Sequence, residues 1–146
     1  MISYGDWAPA AKSDGAAYDA VDGDLFTLWS TGKPQRGDEW FIIDMGEVHA
    51  IASIELENSW APYDYPREYR VSLSDDGERW TTPVAEGIGT QSITTIECDV
   101  RKGRYVKLEQ RGHHEKYWWS ISDIRIYAAD SLFNEQRLYD NGKNSK

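Results

Sequence analysis

The chain has 146 residues and a mass of 16.7 kDa, the size of one domain with a core of its own. Its 16 Lys and Arg against 25 Asp and Glu give a formal net charge of -9. That excludes a non-specific nucleic-acid binder, which needs positive charge to displace phosphate counterions, and argues against charge-driven docking on anionic membranes. No apolar run approaches the roughly 18 residues of a membrane-spanning helix, and no signal peptide is visible at the start.

In chain order, the first distinctive segment is Asp19-Ala20-Val21-Asp22-Gly23-Asp24-Leu25-Phe26-Thr27, dense in oxygen donors. Hard cations such as calcium take six to eight oxygens, and an Asp/Gly turn without an ion fits the same residues. It is not an EF-hand, because Ser30 stands in the twelfth place counted from Asp19. The apolar run Glu39–Asp44 predicts a strand buried on both faces. Alternation predicts further strands over Ala52–Glu57, Glu68–Ser74, Ser92–Cys98, Arg104–Glu109 and Ile121–Tyr127. In the third of these strands, Tyr69, Val71 and Leu73 are expected inward and Arg70, Ser72 and Ser74 outward. Asp75-Asp76-Gly77 reads as a hairpin turn. Short strands without a convincing helix mean an all-β sandwich or barrel. Residues 1–129 form the domain, and 130–146 read as a tail or linker. The single cysteine, Cys98, excludes an internal disulfide and, on an alternating strand, is expected to be buried and structural.

The aromatic count is 7 Trp and 9 Tyr against 3 Phe, so most rings carry a polar tip. They gather in loops. Thr31–Asp38, Asn58–Arg67 and Gly112–Trp119 each combine planar or amide side chains with charges, the pairing that sugar recognition needs: the C–H face of a pyranose packs on a ring while charged and amide groups read its hydroxyls. Candidate contacts are Lys33, Gln35, Arg36, Asn58, Trp60, Tyr63, Tyr65, Arg67, Glu115, Tyr117 and Trp118. Trp119 is expected in the core, with its neighbour Trp118 pointing the other way on extended chain. The adjacent His113 and His114 diverge, so a shared transition metal is not expected, and no nucleophile elbow or dinucleotide loop is present.

Taken together, several segments resemble the discoidin, or coagulation factor 5/8 type C, domain. They are Ala20-Val21-Asp22-Gly23-Asp24-x-x-Thr27-x-Trp29, Gly37-x-x-Trp40-Phe41-Ile42-Ile43-Asp44-Met45-Gly46, Tyr65-Pro66-Arg67-x-Tyr69-x-Val71, Ser74-x-Asp76-Gly77-x-x-Trp80, Pro83-Val84-Ala85-x-Gly87, Arg104-Tyr105-Val106-x-Leu108 and Trp118-Trp119-Ser120-Ile121-x-Asp123-Ile124-x-Ile126-Tyr127. The bacterial family 32 carbohydrate-binding modules are the branch most similar in flavour.

The resemblance implies a jelly-roll β-sandwich of two antiparallel sheets and a structural calcium. Carried onto this chain, Asp22 and Thr27 supply side-chain oxygens and Asp19 and Asp24 backbone carbonyls. Asp123 stands where the family more often has Glu, and the Ser122 carbonyl is a candidate to help its shorter arm. Arg67 matches the family's sugar-binding arginine, Trp118 its stacking aromatic, and Asp14 lies where some members place an acidic hydroxyl acceptor. Galactose binders often carry His in the loop after Trp29, where this chain has Thr31, Lys33, Gln35 and Arg36. Lys33 and Arg36 suit a uronate or sulfate, and Asp14, Asp64 and Glu115 an amino sugar. The implied function is a non-catalytic, monomeric module of a secreted or cell-surface bacterial protein. It would bind glycan and hold an attached glycoside hydrolase or lyase near its substrate. The alternative is a discoidin domain that binds a protein or phospholipid surface.

Overall fold

The computed structural model describes residues 1–12 and 16–129. Asp14 and the 130–146 tail therefore lie outside the described residues. Two 3-10 turns, Tyr4–Asp6 and Ala17–Ala20, accompany eight strands among the described residues: β1 (Ala8–Ala11), β2 (Trp29–Ser30), β3 (Glu39–Glu57), β4 (Tyr69–Ser74), β5 (Ala85–Gly87), β6 (Ile93–Gln110), β7 (Ser120–Ile121) and β8 (Asp123–Ala128). All pairings are antiparallel. One sheet runs β1-β3-β6-β4-β5 with β8 also on β3, and a second joins β2 to β7.

The expected strands are present, but four of them are halves of two longer ones. Glu39–Asp44 and Ala52–Glu57 both belong to β3, and Ser92–Cys98 and Arg104–Glu109 lie largely or wholly within β6. Their ladder shifts register between Asp44 and His49 and again between Ile51 and Ser53. The bend starts at Gly46, whose φ of +83° an L side chain rarely adopts and whose N–H is held by the Asp44 carboxylate at 2.8 Å. One end of β3 and β6 pairs with β1 and β4, and the other end of β3 pairs with β8. Phe41, Ile43, Val71, Leu73, Val106 and Leu108 from the first set meet Ile51, Ile54, Leu56, Ile96, Ile124 and Ile126 from the second in one buried core. The result is the expected β-sandwich.

Two burial expectations are corrected. Glu39–Asp44 is not buried on both faces: Phe41 and Ile43 are buried while Trp40, Ile42 and Asp44 remain partly open, the ordinary alternation of a half-buried strand. Ser72 and Ser74 do not face water. β4 is flanked by β5 and β6, and the Ser74 hydroxyl folds into the following turn, where it accepts the Gly77 N–H at 2.9 Å. Asp76 in the same turn accepts the N–H groups of Arg79 and Glu78, which hold its carboxyl down at about 2.

At the closed end of the core, Trp29 packs edge-on against both Phe41 (4.9 Å) and Trp119 (5.0 Å). Trp119 is buried, as expected, and Trp118 is 44% exposed. The Ile2 N–H bonds to the Ile126 carbonyl at 2.8 Å, so the start of the chain runs beside β8.

Candidate functional site

The three aromatic loops come together at one end of the sandwich, and the Gln35 side chain joins them. Gln35 is fully buried. Its amide N–H groups donate to the Tyr65 carbonyl (2.8 Å) and the Trp118 carbonyl (3.0 Å), and its side-chain oxygen accepts the Arg67 N–H (3.0 Å). Its backbone adds Gln35 N–H to the Tyr117 carbonyl and His114 N–H to the Gln35 carbonyl, both 3.1 Å. One residue thus ties together backbone groups of all three loops. This corrects its reading as a ligand contact: with no surface of its own, Gln35 positions the site from beneath.

Asn58 is corrected in the same way. It is 2% exposed, and its amide donates to the Ala61 carbonyl at 2.8 Å while Ala61 N–H donates back to the Asn58 carbonyl at 2.9 Å. The closed turn puts Trp60 at its apex, 60% exposed. Glu39 and Gln110 tie down the flanks: Glu39 accepts the N–H groups of Arg36 (2.8 Å) and Gly37 (3.0 Å) and the Gln110 amide (3.0 Å).

Above this base sits a cluster of rings and one guanidinium. Tyr63 and Tyr117 stack at 5.6 Å with 30° between planes. Arg67 lies 3.8 Å from the centre of the Tyr65 ring and 5.3 Å from that of Tyr117. Two of its nitrogens donate to the carbonyls of Tyr63 (2.8 Å) and Tyr65 (3.3 Å), which fixes the plane and leaves further donors of the five. Tyr63 is 50% exposed, and Tyr65, Arg67 and Tyr117 are half-buried. Lys33, Arg36 and Glu115 are exposed on the same loops.

His114 is a loop-shaping residue that sequence reasoning set aside. Its Nδ1 accepts the N–H groups of Lys116 (2.9 Å) and Tyr117 (3.0 Å), and its ring lies 4.8 Å from that of Tyr117. It shapes the loop that presents Tyr117 and Trp118. Asp64 works from below: its carboxylate accepts the Ser120 hydroxyl at 2.6 Å, and its carbonyl accepts the Ser120 N–H at 3.0 Å. Burial raises the Asp64 carboxyl pKa, offset in part by the Ser120 hydroxyl, the Arg67 charge and the Trp118 N–H.

Trp60 does not pack on this cluster. Its ring sits 5.3 Å from that of Phe26, tilted by 48°, and Phe26 belongs to the Asp19–Thr27 loop. Sequence spacing gives no hint of the pairing, because the two residues lie on unconnected loops.

In the Asp19–Thr27 loop, three other oxygens gather around the Thr27 hydroxyl. Thr27 Oγ1 lies 2.6 Å from Asp22 Oδ2, 3.0 Å from the Asp24 carbonyl and 3.3 Å from the Asp19 carbonyl. This all-oxygen set from two carbonyls, a carboxylate and a hydroxyl fits a hard cation. The Asp123 carboxylate and the Ser122 hydroxyl each have protein partners of their own. The Asp123 oxygens are engaged by the Tyr4 hydroxyl and by Arg125 Nη1 (2.7 Å), and the Ser122 hydroxyl donates to the Glu57 carbonyl at 3.0 Å. The Tyr4 ring itself lies against Gly23.

The architecture and loop cluster define a discoidin-like β-sandwich with its ring cluster on the loops at one end. The F5/8 type C domain model matches residues 5–124, and the chain belongs to that family. A galactose oxidase of Gibberella zeae is 29% identical over 150 aligned residues, covering 89% of this chain and 21% of the oxidase. The polysaccharide lyase 8 family protein HylA of Enterococcus faecalis is 32% identical over 118, covering 76% of this chain and 8% of the lyase. The chain thus spans about a fifth or less of the curated relatives it matches.

Among solved structures, the Clostridium perfringens module CpGH89CBM32-5, in complex with GalNAc-β-1,3-galactose, superposes with a TM-score of 0.76. It is 21% identical and covers 87% of this chain and 99% of its own. The family 32 carbohydrate-binding module of C. perfringens NanJ, in complex with galactose, gives a TM-score of 0.73 at 18% identity, over 86% and 96%. These likenesses are of fold.

Proposed function

We propose that this chain is a non-catalytic carbohydrate-binding module of a larger secreted or cell-surface carbohydrate-active enzyme. Its glycan seats on the loop cluster of Tyr63, Tyr65, Arg67, Tyr117 and Trp118. The observation that carries this reading is the anchored guanidinium: Arg67 lies over the Tyr65 ring at 3.8 Å and within 5.3 Å of the Tyr117 ring, beside the stacked Tyr63–Tyr117 pair, a hydroxyl reader next to platforms for C–H faces. Function follows from proximity, since a weak site on a tether raises the local concentration of substrate around the attached catalytic unit. The sugar complexes of the two C. perfringens modules support the reading by analogy of fold.

The test is calorimetric titration with galactose, N-acetylgalactosamine, glucosamine and glucuronate oligosaccharides, against liposomes of anionic phospholipid. Binding to at least one sugar, abolished in Tyr117→Ala and Trp118→Ala with the melting curve intact, is the expected result. Binding to liposomes and to no sugar would overturn the reading in favour of a lipid-binding discoidin domain.

We also propose that the Asp19 and Asp24 carbonyls, the Asp22 carboxylate and the Thr27 hydroxyl hold a structural calcium, whose charge would replace the loop's internal hydrogen bonds as its organiser. A melting temperature that rises with millimolar calcium and falls with chelator is expected, and Asp22→Asn should remove the difference. An unchanged melting temperature would sink the proposal.

A further inference from the structure

The Asn58–Arg67 loop carries two groups of aromatic side chains, and only one belongs to the cluster just described. Tyr63 and Tyr65 face Tyr117 and Arg67. Trp60, at the apex of the Asn58–Ala61 turn, instead meets Phe26 from the Asp19–Thr27 loop. Phe26 is 78% exposed, Trp60 60% and Leu25 43%, which makes an apolar patch built from two loops. Such a patch on a soluble domain marks an interaction site.

Both sides of the pair are fixed. The Asp24 carboxylate accepts the Phe26 N–H at 2.9 Å, and the Asn58–Ala61 bonds close the turn beneath Trp60. Phe26 braces one side of the indole while most of the residue stays open, so a ligand stacking there orders little that was free before. Carboxylates of Asp22, Asp24 and Glu57 stand on the same two loops or at their edge, and Ser59 donates to Glu57 at 2.9 Å. No Lys or Arg lies between Asp19 and Thr27 or between Asn58 and Pro66. Glu57 is paired with Arg125 at 2.9 Å and Asp22 is a proposed calcium ligand, so the patch carries little free charge of either sign, and what points to a sugar is that Trp60 shares its loop with Tyr63 and Tyr65 of the ring cluster.

We infer that Phe26 and Trp60 form a second stacking platform on the same binding surface, so that the module grips a run of linked neutral or amino sugars along a chain rather than one terminal sugar. The inference rests on the glycan reading above. Continuity is supplied by the single loop that carries both Trp60 and Tyr63.

The experiment is a calorimetric titration of the full chain with two ladders, β-1,4-linked galactose and β-1,4-linked glucosamine, each from dimer to hexamer. In the wild type, affinity for the ladder that binds should rise by about fivefold or more from dimer to hexamer, the worth of one added ring contact. Phe26→Ala should bind the dimer as wild type does and lose most of that rise; Trp60→Ala should lose the rise as well, and Phe26→Tyr should keep it. Both rings are exposed, and matching melting curves check that the variants fold. A dimer that binds with no rise along the ladder, or a rise that survives in both alanine variants, overturns the second platform and leaves the first site standing. Binding of neither ladder, with anionic liposomes bound through Phe26 and Trp60, overturns the inference by giving the patch to a membrane. Failure of the glycan reading itself shows differently, as no binding to any sugar in the wider panel above.

Discussion

At the residue scale, side chains of similar chemistry have opposite fates. Gln35 and Arg67 both read from the sequence as hydroxyl readers, but Gln35 lies beneath the loops and Arg67 beside the rings. An amide that suits a sugar suits a backbone carbonyl equally well, so sequence alone does not separate the two; Trp and Tyr in Pro-rich loops are a clearer signal because a core seldom draws on such segments. Gln35→Ala removes three side-chain hydrogen bonds and leaves buried carbonyls of Tyr65 and Trp118 without that partner. It should cost about 2–4 kcal/mol in chemical denaturation and weaken sugar binding without touching the ligand. Cys98 is only partly buried against the core rather than fully buried as expected, yet that burial, reinforced by Glu97 and Asp99, pushes its thiol up to about 12. With the thiol raised this far, iodoacetamide should label Cys98 slowly in the native state and quickly in guanidinium.

At the scale of elements, β3 and β8 are joined by more than their ladder. Arg125 on β8 meets Glu57 (2.9 Å), Asp123 (2.7 Å) and Glu55 (3.2 Å), while the Tyr127 and Tyr4 hydroxyls donate to Glu55 and Asp123. Burial works against the Arg125 charge, but the surrounding carboxylates outweigh it and raise its pKa. Removing the cation leaves three carboxylates facing one another, two of them well shielded, so Arg125→Met should destabilise the fold by about 3 kcal/mol, read from denaturant midpoints. The Tyr127 hydroxyl, then Arg125, holds the Glu55 carboxyl below its ordinary value; the Arg104 guanidinium, with the Gly46 N–H, does the same for Asp44. For carboxyls depressed in the folded state, the stabilisation is complete above the unfolded values, about 4, and drains away as pH falls through and below them. Melting temperature should therefore drop steeply between about pH 5 and pH 3, and Glu55→Gln and Asp44→Asn should each flatten that drop while lowering the neutral-pH value.

The strands themselves were largely legible, since alternation at Val71 and Leu73 or at Ile124 and Ile126 marks an inward face directly. Their continuity was not. Met45-Gly46-Glu47-Val48 reads as a break, yet β3 continues through it at the cost of a positive φ at Gly46 and a register shift. The Phe26–Trp60 contact was equally hidden, because only the folded path of the chain brings those loops to one place.

For the whole molecule, the long bent strands have a thermodynamic consequence. Because β3 and β6 each contribute to both halves of the sandwich, neither half keeps a complete sheet if the other melts. Tryptophan fluorescence and far-ultraviolet circular dichroism should trace the same single transition in urea, and non-coincident curves would show the halves to be separable.

The bond between Ile2 and Ile126 bears on how such a domain is carried. β8 starts at the end that carries the ring loops, where Asp123 pairs with Glu57, and runs away from it to Ala128 opposite Ile51. The incoming strand of chain lies alongside it. Entry and exit are therefore neighbours on the side remote from the rings, like the two leads of a plug. Anything tethered on that side would leave the ring-bearing end turned outward.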